Sequence, residues 1–301
     1  MANRNPTRTL GIERRWHREI NRRWAEYRTR VTTRLRADQA MLTNAASVFT
    51  MSAERQRVYM RFVEDEIQRL LLATEQAPNW QAQYQLESYT RGLERTRAAL
   101  VAQGADLVPT VGEQLTAAGL RPFTATPSLG GGSTAAPIHQ DALEFLYTRS
   151  YESLGNWTDK LATETRQILF DGVTEGQGID EVVRRMVDRI DVSRSRARVI
   201  AQTETVQAYQ RSNGAEATRA SEEIGKPVLL RWLTVMDSRV RHLHAQYHGT
   251  LSTPEEYARK IGVSPWNCRC ASAPVIPRAD TAKKRAKFTE ERRLMMLVER
   301  K

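Results

Sequence analysis

Up to Ile224 this chain reads as helices and loops, and beyond Pro227 the apolar pattern changes from a period of 3.6 to an extended run. Val228, Leu229, Leu230, Trp232, Leu233 and Val235 have the length and residue types of a short strand. The stretch Arg269 to Ile276 is the natural strand to return beside it. A chain that turns extended only here is expected to be mainly α with a small α+β C-terminal module, preceded by an extended helical N-terminal region. Composition agrees: 7% of the 301 residues are aromatic and 27% charged, a balance closer to helical proteins than to dense α/β enzymes.

The first helix is expected from Thr9 to Arg36. Its apolar residues Ile12, Trp16, Ile20, Trp24, Tyr27 and Val31 step by three or four and share one face. That face either packs on the protein itself or docks a partner, with Trp16, Ile20, Trp24 and Tyr27 as the contact residues. Helices from Ser52 to Thr74 and Trp80 to Gln103 follow, with Ser52 as N-cap and Gly104 as stop. Between 105 and 137 the residues Pro109, Pro122, Pro127, Gly130, Gly131, Gly132 and Pro137 mark a linker with a boundary near 130. Helices resume at Ala142 to Leu154, Trp157 to Gly172 and Asp180 to Ile190, and Ser193 is read as the cap of another through Ile224. Later come a helical turn within Arg239 to Tyr247, broken by Gly249, and a small helix capped by Thr253 with Pro254 and Glu256 behind it. The division read from this pass is 1–104 helical and basic, 105–137 linker, 138–277 helices plus the module, and 278–301 basic tail.

The formal charge of +11 favours an acidic surface or a polyanion as neighbour, although the arginines are spread through every helix and no nucleic-acid-binding motif occurs. Two cysteines, Cys268 and Cys270, cannot build a disulfide framework and suit a reducing compartment. The N-terminal residues lack an apolar leader core, and no segment reaches the ~18 apolar residues of a membrane span. A soluble chain without membrane contact during assembly is therefore expected.

The module carries a constellation: Ile200-Ala201-Gln202-Thr203-Glu204-Thr205 on a helix, Gly214, Trp232 in a strand, Asp237, Arg239, Arg241 and His244, then Gly249, then Trp266-Asn267-Cys268-Arg269-Cys270. In this order it resembles the minor head (head morphogenesis) protein family of tailed bacteriophages, which is Mu F-like and SPP1 minor capsid protein-like, over about residues 180–277. The resemblance implies a low-copy structural protein that joins the portal vertex inside the procapsid and supports head morphogenesis and DNA packaging or delivery. Its partners would be the portal protein, with capsid or scaffolding protein and non-specific DNA contact beside it. Its location would be the host cytoplasm during assembly and the head interior in the virion. The alternative is a basic DNA-binding protein carried and ejected with the phage genome.

Some relatives resemble a Cys-x-x-Cys version of Arg241-His242-Leu243-His244 facing the later Cys-x-Cys, an arrangement suited to structural zinc. Here His244, Cys268 and Cys270 would be the ligands, with His242, His248 or Asp237 as fourth. Against zinc stands a plainer reading, in which both cysteines are small buried strand residues and His244 bonds to Asp237 or Glu204. Asp237 with Arg239 reads as a turn-stabilising ion pair. A catalytic set of Cys268 or Cys270, His244 and Glu204 is set aside: the chain has no GxSxG, phosphate loop, HExxH or dinucleotide fingerprint. No enzyme is expected.

Overall fold

The computed structural model describes residues 7, 9–40, 48–72, 80–109, 140–235, 237, 239–262 and 266–278, with backbone alone for 140–154. The linker boundary near 130 and nearly all of the basic tail lie outside the described residues.

The fold is mainly helical with one small antiparallel sheet. Its helices are α1 (Leu10–Ala40), α2 (Ala53–Glu66), α3 (Ala82–Val101), α4 (Gln140–Thr174) and α5 (Ile179–Ile224). A single π-helical turn, Ile67–Leu71, extends α2. Ser52 caps α2 as expected, its hydroxyl accepting the Arg55 N–H at 3.3 Å. Two expected breaks are absent. The chain runs helically through Gly155, and α5 is one helix of 46 residues with Ser193 buried inside it. The segment Asp191-Val192 offers neither Gly nor Pro, so a lone Ser is too weak a signal to end a helix that burial holds.

The chain divides into two compact units, each made of non-contiguous segments. One comprises 15–80 and 148–201, the other 1–14, 81–147 and 202–301. These units do not coincide with the linear division expected from composition, because local composition carries no record of which distant helices pack together.

The first unit is a helical core. Trp16, Ile20, Trp24 and Tyr27 are 1%, 2%, 3% and 1% exposed, beside buried Val31 and Leu35 further along α1. Trp16, Ile20 and Trp24 face Leu71, Trp157 and Ala197 around a small void, and the Tyr59 hydroxyl donates to the Val31 carbonyl at 2.9 Å. The docking face read from the sequence is thus corrected: this chain covers it with its own helices. Periodicity announces that a face is buried, and does not say by what.

The second unit carries the sheet, ordered β2-β1-β3, from β1 (Leu229–Leu233), β2 (Leu251–Ser252) and β3 (Ala271–Val275). Both neighbours run antiparallel to β1, with Leu230 opposite Ser252 on one side and Pro274 on the other. Alternation on β1 turns Leu230 and Trp232 into a core with Ala217, Ala220, Tyr257 and Ile261. Between β1 and β2 lies the short α6 (His242–Gln246), and after β2 comes α7 (Pro254–Gly262), where Thr253 accepts the Glu256 N–H at 3.2 Å. Gly249 closes the β1–β2 connection at φ +76°, a left-handed conformation that favours glycine, and donates its N–H to the Trp232 carbonyl at 2.7 Å. Along β3, the Gln103 side chain donates to the Pro274 carbonyl and accepts the Ile276 N–H, covering polar groups that a bare strand would leave open.

Candidate functional site

The site is built on the middle of α5. Eight consecutive residues, Thr203 to Gln210, are buried on every side of the helix, and five of them are polar: Thr203, Glu204, Thr205, Gln207 and Gln210. A buried polar stretch must find hydrogen-bond partners within the protein, and it finds them in loop and strand. Thr203 accepts the Asn267 N–H at 2.9 Å. Gln210 donates to the Cys270 carbonyl at 2.6 Å. Asn213 donates to the Ser272 carbonyl and accepts from Thr96. One turn further on, Glu216 forms a fully buried ion pair with Arg97 at 2.8 Å. Sequence reading singled out Glu204 and missed Gln210 and Asn213; the signal was a run of uncharged polar residues at helical spacing.

These bonds fix the segment Trp266 to Cys270. Asn267 sits at φ 53°, and the Arg241 guanidinium donates to the Trp266 carbonyl. Asp237 grips Arg269 through both carboxylate oxygens, at 2.6 and 2.7 Å. The expected Asp237–Arg239 pair is the lesser contact, at 3.7 Å with an exposed guanidinium, although Asp237 also accepts the Arg239 backbone N–H. A planar carboxylate with two parallel bonds to a guanidinium is the stronger arrangement. The hydrogen bonds from Arg269 hold the Asp237 carboxyl below its ordinary range, against a smaller opposing effect of burial.

With that turn fixed, the single helical turn α6 brings His244 over the two thiols. His244 Nδ1 lies 3.5 Å from Cys268 Sγ and 3.6 Å from Cys270 Sγ. The three residues are 1%, 2% and 3% exposed, and their candidate ligand atoms all lie within 4.8 Å of one another. The imidazole packs edge-to-face on Trp232, centroids 5.3 Å apart, and Tyr247 and Tyr257 lie against the same indole. Cys270 donates its backbone N–H to Cys268 Sγ at 3.4 Å. The thiols titrate as a pair. A hydrogen bond from Cys270, assisted by His244, lowers the pKa of Cys268; Cys270, the donor and itself buried, holds its proton more tightly.

The structure therefore brings together His244, Cys268 and Cys270, and leaves out the other residues considered as a fourth ligand. His248 turns Nδ1 to the backbone N–H of Thr234, Asp237 is occupied by Arg269, and His242 is exposed and paired with Gln246. The expected bond from His244 to Asp237 or Glu204 is likewise replaced by the contact with the thiols. Trp266 is half exposed at the rim.

Residues 163–273 match the family described as Phage Mu protein F like protein. Over 144 residues the chain is 24% identical to Minor head protein GP7 of Bacillus phage SPP1, covering 44% of this chain and 46% of that protein. Over 150 residues it is 24% identical to an uncharacterized protein, MJ0329, of Methanocaldococcus jannaschii, covering 50% of this chain and 23% of that protein. The chain thus spans less than half the length of either relative. No solved structure matches it. The matched span holds the buried stretch of α5, the whole sheet up to Ala273, and all three residues of the Cys/His cluster.

Proposed function

From the match of residues 163–273 to Phage Mu protein F like protein and the similarity to a phage minor head protein, we propose that the protein is a minor structural component of a tailed-phage head. In this reading it associates with the portal vertex during procapsid assembly, alongside capsid or scaffolding protein, and remains in the head interior of the virion. The observation that carries the reading is the extent of the match: it takes in α5, the sheet and the Cys-x-Cys turn, which hydrogen bonds tie into one module. The role is structural and not enzymatic. Among the described residues no helix is long and apolar enough to cross a membrane.

A second reading, non-specific DNA contact, rests on the net charge of +11 and on where α1 puts its arginines. With the apolar face buried, Arg14, Arg15, Arg18, Arg22, Arg34 and Arg36 all stand on the exposed side. Several already pair with acids, as Arg22 does with Glu19 and Arg34 with Asp38, which reduces what they can offer phosphates. Salt separates the two readings, because binding that releases counterions weakens steeply with ionic strength. We expect the purified chain to bind portal protein at both low and high salt, and to bind duplex DNA only at low salt. Salt-sensitive DNA binding with no portal binding under any condition would reverse the ranking.

A further inference from the structure

We propose that His244, Cys268 and Cys270 form a zinc site, with His244 coordinating through Nδ1 and the fourth position open to a small solvent cavity. The proposal concerns a ligand of the module and does not depend on the head-protein reading.

Its first support is metric. In a tetrahedral zinc site, bond lengths of about 2.3 Å to sulfur and 2.0–2.1 Å to nitrogen set the sulfur-to-nitrogen edge at about 3.6 Å. The edges present are 3.5 and 3.6 Å. Ordinary packing does not require one imidazole nitrogen to sit equally close to two thiols that are themselves held together.

The second support is how the ligands are held. Thr203 and Gln210 fix the turn from α5, Arg241 and the Asp237–Arg269 pair fix it from the β1–α6 loop, and the Cys270 N–H points at Cys268 Sγ. Partners of this kind orient metal ligands before the metal arrives. Nδ1 is the ring nitrogen that faces both sulfurs and would be the coordinating atom, with the ring proton on Nε2 once metal is bound.

The third support is charge and space. Binding displaces two thiol protons, and two thiolates, a neutral imidazole and Zn²⁺ then sum to zero, which permits full burial. Two thiolates with one imidazole favour zinc over magnesium or calcium, which prefer oxygen ligands. A cavity of about 20 Å³ adjoins the three residues, bordered by Val235, Val240 and Arg241, enough for about one water as the fourth ligand.

The test uses the full chain, purified under reducing conditions without chelator. We expect one zinc per chain by elemental mass spectrometry, falling at least about tenfold in the Cys268→Ser/Cys270→Ser variant. Should that variant fail to fold, the wild-type chain still decides. After a strong chelator both thiols should react with a thiol reagent faster than before, and added Zn²⁺ should restore protection. Replacement by cobalt should give the intense visible absorption of a tetrahedral thiolate complex. Zinc no higher than in the variant, together with thiol reactivity that neither chelator nor Zn²⁺ changes, would overturn the proposal and leave two buried free cysteines.

Discussion

At the scale of single residues, the ties that position the Cys-x-Cys turn are polar and specific. Asp237 is the most readily tested. Its carboxyl is held below the ordinary range by Arg269, so its contribution to stability is present above the unfolded carboxylate pKa of about 3.9 and is lost as pH falls through the lower folded value. The pair is partly solvated, with side chains 28% and 18% exposed, and solvent screening reduces its worth to about 1 kcal/mol. Asp237→Asn should therefore be less stable than wild type by about that amount at pH 7, measured by urea unfolding, with the gap closing below about pH 4. A gap independent of pH would mean that Asp237 acts through its shape or backbone contact and not through its charge. At this scale the sequence singled out candidate residues and said less about who meets whom. Cys268, Cys270 and His244 were grouped through the resemblance to relatives with a Cys-x-x-Cys pair, but Asp237 was paired with its near neighbour Arg239, because a bond across 32 positions to Arg269 leaves no trace in local spacing.

At the scale of elements, α1 and α5 show what periodicity does and does not convey. The stepping of Ile12 to Val31 correctly indicated a helix with one apolar face, and burial of that face makes it a structural surface. Trp16→Ala should lower stability by about 3–5 kcal/mol, as large-to-small changes in a packed core do, read as a shift in denaturation midpoint. Binding of the still-folded fraction to partners should be unchanged. Weakened partner binding at unaltered stability would restore the docking role. On α5 the difficulty was opposite: a helix buried on all sides by polar residues has no amphipathic stripe to detect, so Gln210 and Asn213 went unremarked. The close approach of α3 to α5 was equally hidden. A Cβ on Gly92 would lie 2.6 Å from the Tyr209 carbonyl oxygen, so only glycine fits the observed spacing, yet Gly92 reads in sequence as an ordinary weak point in a helix.

At the scale of the whole molecule, helix content and the small sheet were legible because strand-type patterning occurs only near the C-terminal end. The grouping of segments into units was not. Each unit draws on distant parts of the chain, and α5 supplies residues to both. The proposed reading is that a chain with a hydrogen-bonded module similar to Phage Mu protein F, a helical core that buries its own aromatic face and a formal net charge of +11 is a minor component of a phage head. Its central claim is tested most directly by quantitative mass spectrometry of purified procapsids and DNA-filled virions, made with and without the portal protein, counting this chain against the major capsid protein. The account predicts a few copies per particle that disappear when the portal is absent. Absence from both kinds of particle, or many copies indifferent to the portal, would contradict it.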